Sequence, residues 1–444
     1  MEFIKDTAMK RKIYDAAIIG AGASGLMAAI TAARRGRDVI LLEHMDQAGK
    51  KILSTGNGKC NYTNLNQSED AYYCEDPAFV HTVLSRFSCA DTIRFFEELG
   101  IRPLQKNGSC IYPESEQALS VKNVLTAEVK RLKIPLLLSA GIRSIQKQNS
   151  KTANRIQDIF VIQTKGQPLY CRNCILATGG MAAKKTGSDG SGYLYAKQLG
   201  HTVTKTLPAL TALKADYSKW KLPAGVRTGC LASLVINDKP AASERGELQI
   251  TDYGISGIVI FQFSRIAVRA LADRKKVQVF LDFKPDMSEK ELEAYLKIRF
   301  SSVYIAQKEI NEGMTGFLPD KLSAVILSQS GISLDKRCGA LNSIQIQNLV
   351  RCLKENRVSI TGYKDFDFAQ VTAGGVPLSQ IHADTMESRL VKGLYFAGEI
   401  ADADAKCGGY NLQWAWASGY ISGRSIEAYD SDSADKSSIK THKR

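Results

Sequence analysis

Ile13-Tyr-Asp-Ala-Ala-Ile-Ile19, followed at once by Gly20-Ala-Gly22-Ala-Ser-Gly25, is the stretch that decides the fold. The first seven residues form a short β-type run, and the next six form a glycine turn. Leu26 to Arg35 continues as a helix-like stretch, Gly36 breaks it, and Asp38-Val-Ile-Leu-Leu42 is a second strand ending in Glu43. Strand, glycine turn, helix, strand and acid stand here in the order of a dinucleotide-binding unit. Gly20 permits the tight turn, Gly22 lets backbone approach a pyrophosphate, and Gly25 lets the helix pack close on the strand. Ala21 and Ser24 belong to the same phosphate loop. The helix N-terminus adds unpaired N–H groups and a partial positive charge. Glu43, 18 residues after Gly25, is spaced to accept the hydroxyls of an adenosine ribose, and its charge disfavours a 2′-phosphate. The expected tenant is therefore FAD or NAD.

The downstream sequence favours FAD. Gly49-Lys-Lys-Ile-Leu-Ser-Thr-Gly-Asn-Gly-Lys-Cys-Asn-Tyr-Thr-Asn64 is too rich in Gly, Asn and Thr for a surface helix, and offers the neutral donors that suit a flavin ring and ribityl chain. Ile175-Leu-Ala-Thr-Gly-Gly180 reads as a buried strand ending in a turn. Gly393-Leu-Tyr-Phe-Ala-Gly-Glu399 is another strand ending in Gly-Glu. Cys407 to Gly419 reads as a glycine-started helix whose N-terminus can face the electron-rich end of a reduced flavin.

Composition bounds the rest. The 444 residues are 44% hydrophobic and 23% charged, which excludes a disordered or fibrous chain. The ten cysteines are scattered, as in a cytoplasmic protein with reduced thiols. Ala16 to Ala33 lacks charge and mimics a short membrane span, but its glycines and alanines serve the nucleotide unit, so no membrane segment is expected. The net charge of +14 includes Lys130, Arg131, Lys133, Arg143, Lys147, Lys151 and Arg155, with no acid among them and none of the interleaved aromatics that a nucleic-acid groove uses. They read as a solvated face that can attract anions, and nucleic acid is not expected as a partner. The five histidines form no cluster at ligand spacing, so no metal is expected.

The motifs GAGASG (20–25), GKKILSTGNGKCNYTN (49–64), ATGG (177–180), ERGELQITDYGISG (244–257), QVTAGGVPLSQI (370–381), TMESRL (385–390) and GLYFAGEIADADAKCGGYNLQWAWASG (393–419) together carry a resemblance. The chain resembles bacterial NAD(P)/FAD-dependent flavoproteins with a glutathione-reductase-type FAD domain, described as 3-dehydro-bile-acid Δ4,6-reductases or aminoacetone oxidases. The resemblance implies that Gly20, Gly22, Ser24 and Gly25 hold the pyrophosphate and Glu43 the ribose. It implies that Lys51, Thr55, Gly56 and Asn61 line the flavin or its ribityl chain, with Ile142, Thr178 and Gly179 beside the adenine. Gly398 and Glu399 fall at the ribityl side, and Gly409, Asn411 and Leu412 against the isoalloxazine. Many members read Asp-x-Asp-Gly before the last helix, where this chain has Asp402-Ala-Asp404-Ala405, so its local turn is not carried over.

The expected fold is α/β. A discontinuous Rossmann-like FAD-binding domain (12–204 and 360–428) is interrupted by a β-barrel-like substrate domain (205–359) with a small helical part at about 286–335, and residues 1–11 and 429–444 are expected as flexible termini. Tyr253, in Asp252-Tyr-Gly-Ile-Ser256, is the candidate hydroxyl for proton donation, beside the plainer reading of a buried structural tyrosine. Cys171-Arg-Asn-Cys174 has thiol–disulfide spacing but no helix after it to lower a thiol pKa, so it reads as packing, as do Cys60 and Cys407. The expected activity is an FAD oxidoreductase that reduces conjugated C=C bonds of 3-oxo steroids with NAD(P)H. Its small-molecule substrate would be anionic or apolar. The alternatives are an amine oxidase of the aminoacetone type using oxygen, and an FAD-carrying RNA-binding protein.

Overall fold

The structure is a computed structural model that describes residues 12–152, 155–217 and 222–427. The expected flexible termini lie outside the described residues, as do the side chains of Lys151 and Arg155. The chain divides into two compact units, one of residues 1–206 with 372–444, the other of residues 207–371.

The first unit is built on strand β1 (Ile13–Ile19), helix α1 (Ala23–Arg34) and strand β2 (Val39–Leu42), joined by β3 (Leu136–Leu137), β4 (Ser144–Thr152), β5 (Arg155–Gln163) and β6 (Leu169–Leu176). The sheet order is β3-β2-β1-β6-β5-β4. The β3-β2-β1-β6 part is parallel, and β5 and β4 continue it antiparallel. Parallel strands covered on both faces must be apolar along their length; Ala16 to Ile19 and Val39 to Leu42 are all buried. Cys171 and Cys174 lie three apart on β6, hence on opposite faces, and both are buried free thiols. Burial pushes the Cys171 thiol up to about 12, which suits packing and not redox exchange. Among the described basic side chains of the 130–157 stretch, Arg131 meets Glu128, and Lys147 meets Asp158 at 3.1 Å.

The second unit is a closed antiparallel barrel of six strands: β7 (Leu213–Ala215), β8 (Arg227–Ile236), β9 (Lys239–Ile250), β10 (Gly254–Ser256), β11 (Val277–Asp282) and β12 (Asn356–Tyr363), in the order β7-β10-β9-β8-β11-β12. Asn237 and Asp238 both take positive φ (49° and 62°) and make the two-residue turn that joins β8 to β9, the conformation that matches strand twist. The chain does not leave this unit near 360, as the sequence reading has it, because Asn356–Tyr363 pairs with both β11 and β7 and closes the barrel.

Helices α2 (Ile258–Ala272), α3 (Glu289–Ser301), α4 (Asp320–Gln329) and α5 (Ser343–Lys354) complete the unit. The helical part therefore extends past 335. Asn342 caps α5: its side chain accepts from the Gln345 N–H at 2.9 Å, and the Gln345 side chain accepts from the Asn342 N–H. That reciprocal pair satisfies two donors the helix itself cannot. Asn342→Ala is expected to cost about 1 kcal/mol in urea unfolding, with the FAD content of the purified protein unchanged.

The chain then returns to the first unit, where β13 (Leu394–Phe396) pairs in parallel with the second half of β6, and α6 (Tyr410–Arg424) packs on α1.

Candidate functional site

Four parallel strands of the first unit end on one edge of the sheet, and each is followed within two residues by a residue singled out from sequence. After β1 comes Gly20–Gly25, after β2 Glu43, after β6 Thr178 and Gly179, and after β13 Gly398 and Glu399. Ligands of open α/β sheets bind outside these carboxyl ends. Gly20 has φ +101°, and a Cβ there would stand 2.5 Å from the Ala177 carbonyl oxygen, so the turn after β1 lies directly on the turn after β6. Ser24 donates to the Ala397 carbonyl at 3.2 Å and sits against Gly398, which brings the fourth strand end in as well.

Glu43 is buried, and its carboxylate is tied into this edge: Oε2 accepts from the Ala21 N–H at 2.8 Å and Oε1 from the Met45 N–H at 2.9 Å. The Ala21 N–H therefore serves Glu43. Oε2 keeps a second acceptor position, while His44 Nδ1 stands 3.4 Å from Oε1. The space beside Gly22 is open: a Cβ there would have no heavy atom within 4 Å outside its chain neighbours.

A second group forms around the start of α6. Gly409, at φ +91°, precedes that helix, and a Cβ on it would stand 2.7 Å from both Asn61 Oδ1 and the Thr63 carbonyl oxygen. Asn61 is buried and its Oδ1 has no hydrogen-bond partner among the described residues. A buried acceptor left unmade is costly unless a ligand supplies the donor. Thr55 and Gly56 pack behind it: Cys60 N–H donates to the Thr55 carbonyl at 3.0 Å, and a Cβ on Gly56 would approach the Asn61 nitrogen to 2.9 Å. Asn411, expected against the flavin ring, has its side chain engaged elsewhere. It accepts from the Ala405 N–H at 2.9 Å and donates to the Ala405 carbonyl at 2.8 Å, pinning the Asp404–Ala405 strand, which pairs with Tyr72–Tyr73. Leu412 is half-buried against the unit's core, as is Ile142, whose carbonyl accepts from the Tyr195 hydroxyl at 3.0 Å.

A third group was not foreseen as a unit. Lys51 Nζ and Glu399 Oε2 are 2.8 Å apart, Glu399 Oε1 accepts from the Thr372 N–H at 2.7 Å, and the Thr372 hydroxyl accepts from the Met181 and Ala182 N–H groups at 2.8 and 3.1 Å. Thr372 is the residue sequence reasoning missed; it lies inside the quoted VTAGG motif, which gave no sign of what its hydroxyl holds. Cys60 and Cys407, near these groups, are pushed up by burial to about 12 and about 11, so neither is a reactive thiolate at neutral pH.

The open glycine face, the acid at the second strand end and the orphaned Asn61 acceptor fit a dinucleotide with a hydrogen-bonding ring system. Comparison with known proteins decides the family: the description "HI0933-like protein Rossmann domain" matches residues 14–425. The chain belongs to the HI0933-like family. It is 40% identical over 409 residues, covering 92% of this chain and 97% of the relative, to the 3-dehydro-bile acid Δ(4,6)-reductase of Clostridium scindens. It is 30% identical over 418 residues to the ribosomal RNA dihydrouridine synthase of Escherichia coli, covering 94% and 98%. The fold is similar to that of 3-ketosteroid Δ1-dehydrogenase from Sterolibacterium denitrificans, at a TM-score of 0.51, 14% identity, and coverage of 93% and 99%. The HI0933-like chain is an FAD-dependent oxidoreductase. No helix among its described residues is long and apolar enough to cross a membrane.

Proposed function

We propose that this enzyme reduces the conjugated C=C bonds of 3-oxo-Δ4/Δ6 steroids, bile-acid intermediates among them, with NAD(P)H as a transient electron donor. The observation that carries this reading is the 40% identity to a bile-acid Δ(4,6)-reductase along nearly the whole chain. Gly20, Gly22, Ser24 and Gly25 would hold the pyrophosphate, Ala21 would orient Glu43 through its N–H, and Glu43 would hold the adenosine ribose, with Ile142, Thr178 and Gly179 at the adenine. Lys51, Thr55, Gly56, Asn61, Gly398 and Glu399 would serve the ribityl chain and ring, with Gly409, Asn411 and Leu412 at the start of α6. Bound FAD supplies a hydride donor and acceptor. The protein's own task is to orient the enone, bind its carbonyl oxygen and deliver a proton to the α-carbon, and Tyr253 is the candidate donor. The ten cysteines, all free, suit a reducing cytoplasm.

Anaerobic titration of the yellow protein tests this. NADH should bleach the flavin band, and a 3-oxo-Δ4 bile acid should restore it. Bleaching by aminoacetone with recovery in air, and none by NADH, would replace the reading with an amine oxidase.

A second reading has its own support. Two relatives at 30% identity over more than nine-tenths of the chain are ribosomal RNA dihydrouridine synthases, and this chain carries a net charge of +14. Reducing the C5=C6 bond of uridine, conjugated with the C4 carbonyl, is the same chemistry on a nucleobase. If it holds, the flavin is recoloured by ribosomal RNA and not by the steroid, with an affinity that falls steeply as salt rises.

A further inference from the structure

The second unit holds a cluster that neither the fold nor the FAD site explains. The Lys364 ammonium stands 4.1 Å from the centre of the Tyr253 ring and 4.4 Å from that of Phe368, so one cation is held between two aromatic faces. Phe368 is 60% exposed, so its ring is open to a ligand from solvent. Lys364 has no ion-pair partner among the described residues, and the Tyr253 hydroxyl donates to and accepts from none of them.

The backbones of both residues are fixed by one segment. The Ala212 carbonyl accepts from the Lys364 N–H at 2.9 Å, the Thr211 hydroxyl donates to the Lys364 carbonyl at 3.0 Å, and the Ala215 N–H donates to the Tyr253 carbonyl at 2.9 Å. An ammonium held over ring faces offers its free N–H directions to an acceptor. A rigid backbone under two unpaired polar tips is pre-organised for a ligand.

We infer that Tyr253, Lys364 and Phe368 form a binding site for a flat, conjugated cyclic carbonyl, with the ring against Phe368 and the carbonyl oxygen on the Lys364 ammonium and the Tyr253 hydroxyl. This rests on the proposed enone reduction and names the residues that read its oxygen. Enone reduction adds a hydride, which bound FAD would supply, at the β-carbon, and the C=C pair then moves to leave negative charge on the carbonyl oxygen as an enolate. Lys364 stabilises that charge, and a proton from the Tyr253 hydroxyl, replaced from water, reaches the α-carbon and regenerates the ketone. The same ring chemistry is offered by a 3-oxo-Δ4 steroid and by the uracil of an RNA.

The test uses the FAD-loaded protein in its oxidised form and measures binding, not turnover. Dissociation constants are compared for a 3-oxo-Δ4 steroid, the same steroid lacking the 3-oxo group, and a uridine-containing oligonucleotide. The wild type should favour the steroid with the oxygen, or the oligonucleotide over one with abasic sites in place of uridine, and the favoured pair identifies the source of the ring. Lys364→Met should cut that preference about 10- to 100-fold, the range for one hydrogen bond to a charged group. Lys364→Arg should restore most of it, and Phe368→Ala should weaken both members of a pair alike. FAD absorbance and circular dichroism confirm that each variant is folded. An unchanged preference in Lys364→Met overturns the inference while leaving enone reduction standing. A wild type that favours neither pair overturns the inference too. Loss of the function reading appears separately, as no turnover of any conjugated carbonyl by the wild type.

Discussion

Gly22→Ala is expected to give a colourless but folded protein, and Gly25→Ala a protein that does not fold properly at all. The two glycines stand three residues apart in one turn, yet the space around them differs. A Cβ on Gly25 would lie 1.8 Å from the Gly20 carbonyl oxygen and 3.3 Å from the Ala177 side chain. Helix α1 would have to lift off β1 and the turn after β6, through a region where Ala17, Ile18, Leu26 and Ala28 are fully buried. Overpacking against backbone of this kind falls in the severe class of point mutants, about 4 kcal/mol or more. Gly22, by contrast, has φ −78° and ψ −166°, which alanine adopts freely, and an added methyl meets nothing. On the proposed site that is where the pyrophosphate would approach, so the methyl would act on the ligand and not on the fold. FAD affinity should fall about 10- to 100-fold, corresponding to about 1–3 kcal/mol of overpacking. Urea unfolding of the two apoproteins against wild-type apoprotein, with FAD titrated back by fluorescence quenching, separates the cases. Equal stability losses in both variants would refute the division of roles.

That contrast also marks how far sequence could be read. The β1–α1–β2 unit was legible because its strands, glycines and acid carry their reasons locally: buried runs read as strands, and only glycine fits the turn. Two barrel strands carry apolar runs in the sequence itself, Leu231–Ile236 at the end of β8 and Val277–Phe283 along β11. Lys239–Glu247 was not legible, since the half-buried residues that alternate from Ala242 onward, Ala242, Glu244 and Gly246, are small or charged and make no apolar pattern. Ile258–Phe263 carries β-branched and aromatic residues in a row, a composition that says strand, and becomes the first turns of α2 because Val259, Ile260 and Phe263 find a core to enter. For α5 the Asn342-x-x-Gln345 pair was a usable local signal. The site divides the same way. Glycine positions follow from backbone need, whereas the meeting of Lys51 with Glu399, 348 residues apart, is a product of tertiary folding that no spacing announces.

Lys51→Met should therefore damage more than one contact. Lys51 and Glu399 are 24% and 16% exposed, so the pair is largely out of water. Removing the ammonium leaves the Glu399 carboxylate with the Thr372 N–H but without its countercharge. A fully buried pair broken this way costs about 3–5 kcal/mol, and an exposed one under about 1. The partial exposure here places the expected loss at about 1–3 kcal/mol, and the limited solvent contact makes it only weakly dependent on salt. The consequence extends along the hydrogen bonds, because the Thr372 hydroxyl receives the Met181 and Ala182 N–H groups that follow the turn after β6. FAD should consequently be lost more readily on gel filtration from Lys51→Met than from wild type. Glu399→Gln alone keeps an acceptor for Thr372 and should be milder. The double variant Lys51→Met/Glu399→Gln removes both charges and should recover most of the stability lost by Lys51→Met. The decisive measurement is the double-mutant cycle in urea unfolding. A coupling of at least about 1 kcal/mol means the two side chains act as one element that fixes the edge of the FAD site. Additive losses would mean that Lys51 contributes through its own packing, and that Glu399 is held by Thr372 alone.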